Sequence, residues 1–375
     1  MKKCDVYRKC GGCSYMEKDY EEQLKIKREY VRKLYSGHDV EPVIGMKDPY
    51  HYRHKVYAAF STNRNGNIRA AMYEENSHRP VIVNNCLIQN EAANRIIETI
   101  CRTAEEMNIE VYNEDTGTGV LRHAYIRISR STKRALVTIV IGAKQMPGSR
   151  KFVAVLTKKH PEIETVIINQ NSRKTSMVLG EKEHVVYGKG FITEEISGLK
   201  FRISSKSFFQ VNPVQAEKLY RTAINMAKLN MESVVLDACC GTGTIALLAA
   251  KYAKNVIGVE ISESSVRDAR YNAKVNHIGN AQFYCNDAEQ FMHSLDEKID
   301  CVFLDPPRSG MTYSFMSELK RLEPEKIVYI SCNPETQVRD LRILKNYTIK
   351  KIVPCDMFPM TPHLETIVLL QKLNS

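Results

Sequence analysis

Residues 17–35, EKDYEEQLKIKREYVRKLY, place Tyr20, Leu24, Val31 and Leu34 on one helical face and Lys25, Arg28, Arg32 and Lys33 elsewhere. That spacing predicts an amphipathic helix with a basic side. From Tyr52 to about Val83, and again from Leu121 to Tyr187, the chain is rich in strand-forming runs. Within the second stretch, HAYIRISRSTKRALVTIVIG predicts two strands around the polar turn Arg130 to Lys133. Helical spacing returns near 89–107 and 149–158, so the middle of the chain predicts an α+β unit. After about Pro213 the rhythm changes. Short apolar runs (SVVLDA, NVIGVE, AQFYC, DCVFLD, KIVYIS and ETIVLL) alternate with helical stretches, which predicts an α/β fold with a doubly wound, Rossmann-like sheet and helices on both faces. No low-complexity linker or internal repeat marks a boundary. The change of rhythm divides the chain into 1–48, 49–204 and 205–375.

A chain of 375 residues is long enough for more than one core. Its 43% hydrophobic and 26% charged residues are those of an ordinary globular protein, and no apolar run approaches the roughly 20 residues that span a bilayer. No membrane role is expected. The start Met1-Lys2-Lys3-Cys4-Asp5 lacks a secretory apolar stretch, so a reducing, cytoplasmic setting is expected, with the 11 cysteines as thiols or metal ligands. The net charge of +11 favours a polyanionic partner such as nucleic acid.

The chemistry gathers at predicted strand ends, where open parallel sheets keep their reactive groups. The first strand of the α/β region runs into Asp237-Ala238-Cys239-Cys240-Gly241-Thr242-Gly243-Thr244 and then a helix over Ile245 to Tyr252. Glycines there let backbone approach a ligand, and the helix start offers free N–H groups. The third glycine of the dinucleotide fingerprint is missing, which weakens the rival reading as a nicotinamide enzyme. Glu260 ends the second strand, placed to take both ribose hydroxyls of an adenosine, and Asp287 follows the third, placed for the adenine amino group. Successive acids of this kind are the pattern of S-adenosyl-L-methionine-dependent methyltransferases. The fourth strand ends in Leu304-Asp305-Pro306-Pro307-Arg308, whose prolines make a rigid shelf able to hold a planar base. The fifth ends in Ile330-Ser331-Cys332-Asn333-Pro334, making Cys332 a candidate nucleophile.

Near the amino terminus, Cys4, Cys10 and Cys13 leave a tetrahedral thiolate site one ligand short, and Cys86 is the next cysteine along. Four thiolates suit structural zinc or a [4Fe-4S] cluster. With only one Cys-x2-Cys knuckle, the spacing favours iron–sulfur. The remaining lone cysteines, Cys101, Cys240, Cys285, Cys301 and Cys355, are expected to be small core residues.

The set SFFQVNP (207–213), DACCGTGT, DPPRSGM, SCNP and HLET (363–366), in this order, resembles the RNA uracil-5-methyltransferases, which make 5-methyluridine in 23S ribosomal RNA and transfer RNA. The likeness spans essentially the whole chain. It implies a class I methyltransferase domain behind an α+β RNA-binding domain and an amino-terminal iron–sulfur segment. It also implies methyl-donor contacts from Gln210, Cys239, Thr244, Glu260, Asp287 and Asp305, with Asp237 and Gly241 in the same turn. Cys332 becomes the nucleophile and Glu365 the base. A thiol near pKa 8.5 is mostly protonated at neutral pH, so a thiolate-favouring site is expected, with a helix starting at Pro334 as its source. Many relatives carry an extra amino-terminal oligonucleotide-binding (TRAM) barrel for which this chain has no room. That compact form favours 23S ribosomal RNA over transfer RNA, and a monomer is expected. Arg53, His54, Lys55, Arg150, Lys151, Lys158 and Lys159 are candidates for phosphate contacts. A cytosine methyltransferase and a non-catalytic iron–sulfur RNA-binding protein are the alternatives.

Overall fold

The computed structural model describes residues 2–74, 77, 79–173 and 177–373. A one-turn helix α1 (Tyr7–Cys10) precedes helix α2 (Tyr20–Leu34). A seven-stranded sheet follows, built from β1 (Lys55–Thr62), β2 (Ile68–Tyr73), β3 (Pro80–Ile82), β4 (Leu121–Ile128), β5 (Ala135–Ile141), β6 (Ile163–Gln170) and β7 (Lys182–Tyr187). Its order is 3-2-1-4-5-6-7. Only β5 and β6 run parallel, and helix α4 (Ser149–Lys159) makes the crossover between them. Helix α3 (Glu91–Glu106) buries Ala93, Ile96, Ile97, Ile100 and Ala104, a helical stripe that joins the buried face of this sheet in one core. The hairpin β8 (Phe191–Ile196) and β9 (Leu199–Ser204) sends Leu199, Phe201 and Ile203 into the core shared with helix α5 (Pro213–Ala227).

The second seven-stranded sheet carries the α/β rhythm. Its parallel strands are β10 (Val234–Asp237), β11 (Asn255–Glu260), β12 (Ala281–Cys285), β13 (Cys301–Leu304) and β14 (Lys326–Ser331). Helices α6 (Thr244–Ala249), α7 (Glu263–Val275), α8 (Ala288–His293) and α9 (Tyr313–Leu322) connect them. After helix α10 (Pro334–Leu341) come the antiparallel β15 (Tyr347–Cys355) and β16 (Glu365–Lys372), giving the order 12-11-10-13-14-16-15. The winding reverses between β10 and β13, so the carboxyl ends of these two strands flank the crevice where ligands of such sheets bind. The Rossmann-like reading is thus met. Among the described residues, no helix is long and apolar enough to cross a membrane.

Three local readings change. Strand β15 was not among the predicted runs, because Lys350 and Lys351 interrupt its apolar pattern beside a register shift. Both are traits of a protected edge strand. Cys285 is exposed rather than core, because β12 is the opposite edge and buries only Phe283. The buried face of α2 is Gln23, Lys27 and Val31, while Leu24 is only half-buried. Hydrophobic periodicity cannot find that face, since its partners are polar. Lys27 Nζ lies 2.6 Å from Asp356 Oδ1, with both side chains almost wholly enclosed, and donates to the Phe358 carbonyl at 3.1 Å. Gln23 accepts from the Met360 amide at 2.9 Å, and Tyr20 donates to Asp356 Oδ2 at 2.8 Å. Helix α2 therefore clamps the segment 356–364 that leads into Glu365.

Removing one member of a buried pair strands the other charge, typically at about 3–5 kcal/mol. Lys27→Met is expected to lower unfolding stability by that amount in urea titrations, and Lys27→Met/Asp356→Leu to recover most of it. A Lys27→Met loss below about 1 kcal/mol would contradict the clamp.

Candidate active site

The floor of the crevice is set by Asp237, which is fully buried at the end of β10. Its Oδ2 accepts from the Ala246 amide at 3.0 Å, tying the turn 238–243 to the start of α6. Gly243 sits at φ +82°, and a Cβ there would come within 2.9 Å of the Phe283 ring, so glycine is required. On the next strand Glu260 accepts from the Gly241 amide at 3.1 Å and the Ser262 amide at 2.8 Å, which fixes its carboxylate at the rim. Asp287 caps α8 through Oδ1, accepting from Glu289 and Gln290 amides at 3.0 and 3.1 Å.

A cavity of about 870 Å³ opens above these groups. Gln210, Cys239, Gly241, Thr244, Glu260, Asp287, Asp305, Cys332 and Glu365 all line it. Asp237 does not; it lies beneath and holds the turn in place. The structure thus brings nine of the ten sequence candidates for this site to one cavity wall.

Cys332 and Glu365 meet through strand register. Ser331 pairs with Thr366 across the antiparallel β14 and β16, so the next residue on one strand lies opposite the preceding residue on the other. Ser331 Oγ accepts from the Asn333 amide at 3.0 Å, and Asn333 caps α10 by accepting from the Glu335 amide at 3.1 Å. That turn leaves Cys332 half-buried at the strand end.

Electrostatics at the centre are unusual. Burial pushes the Asp305 carboxyl up to about 7, and burial with Asp305 pushes Asp237 up to about 8. Glu365 is raised well above the usual range by burial and then by Asp305, and among the described residues neither its Oε2 nor Asp237 Oδ1 has a hydrogen-bond partner. The Cys332 thiol is pushed up to about 11, by burial first and by Glu365 and Asp305 next, against the pull of Arg308. Without a bound ligand the thiol is therefore held on its protonated side, where the expectation was a thiolate-favouring site: burial, Glu365 and Asp305 outweigh Arg308. Crowded, partly neutral acids around an enclosed space suit a cationic ligand. Cys239 in the wall is also raised, by burial and then by Asp237, Asp305, Glu260 and Asp287.

Sequence reasoning missed several liners. Phe208 is 58% exposed at the rim, with Lys55 Nζ 4.8 Å from its ring centroid. Phe208 and Arg308 stood inside quoted motifs, so a signal existed. Tyr220, buried in α5 and hydrogen-bonded to Gln210, had none, because a helical tyrosine reads as core. Phe358 comes from the segment clamped by α2.

The amino-terminal cysteines gather away from this cavity. Cys4, Cys13 and Cys86 share one cluster with Met16, Tyr52 and Met360, and Cys10 sits close enough to act on the Cys13 thiol. Burial pushes that thiol up to about 12, with Cys86, Cys10 and Cys4 adding to it. Among the described residues, no group of three or more His, Cys, Asp or Glu side chains is set for a single metal ion.

Residues 19–373 match the family described as tRNA (Uracil-5-)-methyltransferase. An uncharacterized RNA methyltransferase of Clostridium acetobutylicum is 40% identical, covering 99% of this chain and 83% of that protein. Another from Halalkalibacterium halodurans is 35% identical over the same shares. Among solved structures, the tRNA (uracil-54, C5)-methyltransferase of Pyrococcus abyssi in complex with S-adenosyl-L-homocysteine superposes with a TM-score of 0.81 at 28% identity, covering 96% of this chain and 85% of that one. A cavity that joins a cysteine to an acid at the ends of paired strands, on a sheet wound in this order, now has relatives along its whole length: the chain belongs to the tRNA (uracil-5-)-methyltransferase family and is an RNA methyltransferase.

Proposed function

We propose that the protein methylates carbon 5 of a uridine in RNA, with Cys332 as nucleophile, Glu365 as base and S-adenosyl-L-methionine as donor. The observation that carries this reading is the pairing of Cys332 with Glu365 in the cavity that also holds Gln210, Glu260, Asp287 and Asp305. The neighbour from Pyrococcus abyssi binds S-adenosyl-L-homocysteine, which supports the choice of donor. The fit rests on this chain's own groups: the raised carboxyls of Asp305 and Glu365 in the cavity wall, with Asp237 raised beneath them and Glu365 Oε2 without a partner among the described residues. When bound, the donor supplies an electrophilic methyl group on a cationic sulfur.

The residues then act in sequence. Positive charge within the cavity lowers the pKa of Cys332 and Glu365 together, giving thiolate and carboxylate. Cys332 Sγ adds to carbon 6 of the uracil, its electron pair moving through carbon 5 to the oxygen on carbon 4, so carbon 5 becomes nucleophilic. After carbon 5 has gained the methyl group, Glu365 takes its proton, the carbon 5–carbon 6 double bond returns, and the bond from sulfur to carbon 6 breaks. Phe208 offers a ring face to the base, which must be turned out of its stack to reach the cavity.

In this reading 1–48 with Cys86 carries the cluster, 49–204 meets RNA and 205–375 performs the chemistry. The 23S ribosomal RNA is the proposed substrate, and transfer RNA is the rival that the name of the structural neighbour favours. Incubation of both transcripts with labelled donor, followed by mass-spectrometric mapping, decides between them. 5-Methyluridine in ribosomal RNA alone is expected; methylation of transfer RNA alone would reverse the assignment, and 5-methylcytidine would overturn the reaction.

Cys4, Cys10, Cys13 and Cys86 fit a [4Fe-4S] cluster better than zinc. Cys4, Cys13 and Cys86 share one partly buried cluster and Cys10 lies close enough to act on the Cys13 thiol, and the sequence spacing has only one Cys-x2-Cys knuckle where zinc ribbons have two. Anaerobically purified protein is expected to be brown and to lose its broad visible absorption in Cys86→Ser. A colourless preparation containing one zinc per chain would show the other occupant.

A further inference from the structure

A second cavity, of about 400 Å³, opens between helix α3 and strands β1 and β2. Ala58, Ala70 and Ala71 keep its sheet side shallow, and Asn84, Gln89 and Asn94 bring three side-chain amides to its wall. Gln89 is 8% exposed and lines the cavity, its backbone carbonyl held by the His51 ring and its side-chain amide, among the described residues, free for a ligand. Asn94 donates to Asn85 and to the Cys86 carbonyl, at 2.9 and 3.1 Å, which leaves its own acceptor oxygen over. Hydrogen-bonding capacity of these amides is thus left facing the cavity, where the polar edge of a ligand can take it up. The volume lies within the range of ligand pockets, about 300–1,000 Å³.

Charge narrows the ligand. Arg69 and Arg102 stand in the wall, but Arg69 pairs with Glu105 at 3.0 Å and Arg102 pairs with Glu98, so the wall carries no net charge. That balance suits a neutral, planar group with hydrogen-bonding edges, not a phosphate. The location narrows it further. Gln89 bridges to Arg53, and Arg53 is two residues, about 7 Å along an extended chain, from Lys55 at the rim of the catalytic cavity. Nearby nucleotides of a single RNA strand can bridge that interval.

We propose that this cavity receives an unpaired nucleobase of the RNA substrate, a few nucleotides from the methylated uridine, with the Gln89 and Asn94 amides on its hydrogen-bonding edge. The inference rests on the chain's action on RNA. It assigns the middle sheet a specific grip where only general phosphate contacts were expected.

The test uses the full chain and two variants that act differently: Gln89→Leu removes the amide at nearly constant size, and Ala70→Leu fills the space. Each is expected to raise the KM for the methylated transcript about 10-fold or more, which corresponds to about 1.4 kcal/mol. The kcat at saturating RNA and the affinity for S-adenosyl-L-homocysteine should not change. In the unaltered protein, RNA carrying 4-thiouridine should photo-crosslink to the peptide 84–102, and Gln89→Leu should lose that product. Unchanged KM in both variants, or crosslinks confined to other peptides, would show a water-filled space and overturn the proposal. Absence of 5-methyluridine with crosslinking intact would instead sink the proposed chemistry and leave the base subsite standing.

Discussion

Cys332→Ala is expected to abolish turnover, with kcat down by at least about 10⁴-fold, the scale seen when an attacking side chain is lost from a site whose groups act as a unit. The effect is this large because carbon 5 of uracil is a weak nucleophile until a group adds at carbon 6. Cys239 and Cys240 also line the cavity, but burial and neighbouring acids, Asp237 first among them, raise both thiols, and neither stands at the strand end beside Glu365. The decisive measurement is covalent. A transcript carrying 5-fluorouridine cannot lose fluorine as a cation, so unaltered protein with methyl donor should form a denaturation-stable adduct, and Cys332→Ala should form none. Binding of the RNA should persist in the variant. An adduct that survives this substitution would move the nucleophile elsewhere, and methylation without any adduct would remove covalent catalysis altogether.

Some parts of this site can be found from sequence and others cannot. Strand-end chemistry was legible because each group sits where a short apolar run stops: Asp237, Glu260, Asp305 and Cys332 all follow such runs, and the sheet winds so that those ends converge. Glu365 was legible only through its motif. A carboxylate at the start of a strand carries no signal of its own, and its meeting with Cys332 depends on the antiparallel register of β14 and β16. The charge state of the site was not legible at all. Reading the Asn333-Pro334 turn as the start of a helix was right, but the raised thiol of the ligand-free site was hidden, because Asp305 and Glu365 reach Cys332 from other strand ends only after folding. The clamp on segment 356–364 was hidden for a related reason. Gln23 and Lys27 look like the solvent face of a basic helix until Met360 and Asp356 arrive from over 300 residues away.

Glu365→Gln is expected to separate the two halves of the reaction. Glutamine keeps the size of the side chain, so Cys332 can still add and carbon 5 can still gain its methyl group. It cannot take the carbon 5 proton, so elimination stalls. The predicted product is protein covalently joined to RNA that carries one labelled methyl group, with turnover reduced about 10²–10⁴-fold, the usual worth of a positioned acid or base. The pH dependence gives an independent check. Glu365 is the first charged group among the causes that raise the Cys332 thiol, and removing a negative neighbour lowers a thiol pKa. The thiolate then forms at lower pH, so the pH profile for adduct formation should move to the acid side in Glu365→Gln while the adduct itself persists. Normal turnover with no trapped species would exclude Glu365 as the base. An unmoved profile with a trapped adduct would keep it as the base and assign the raised thiol to burial and Asp305 alone.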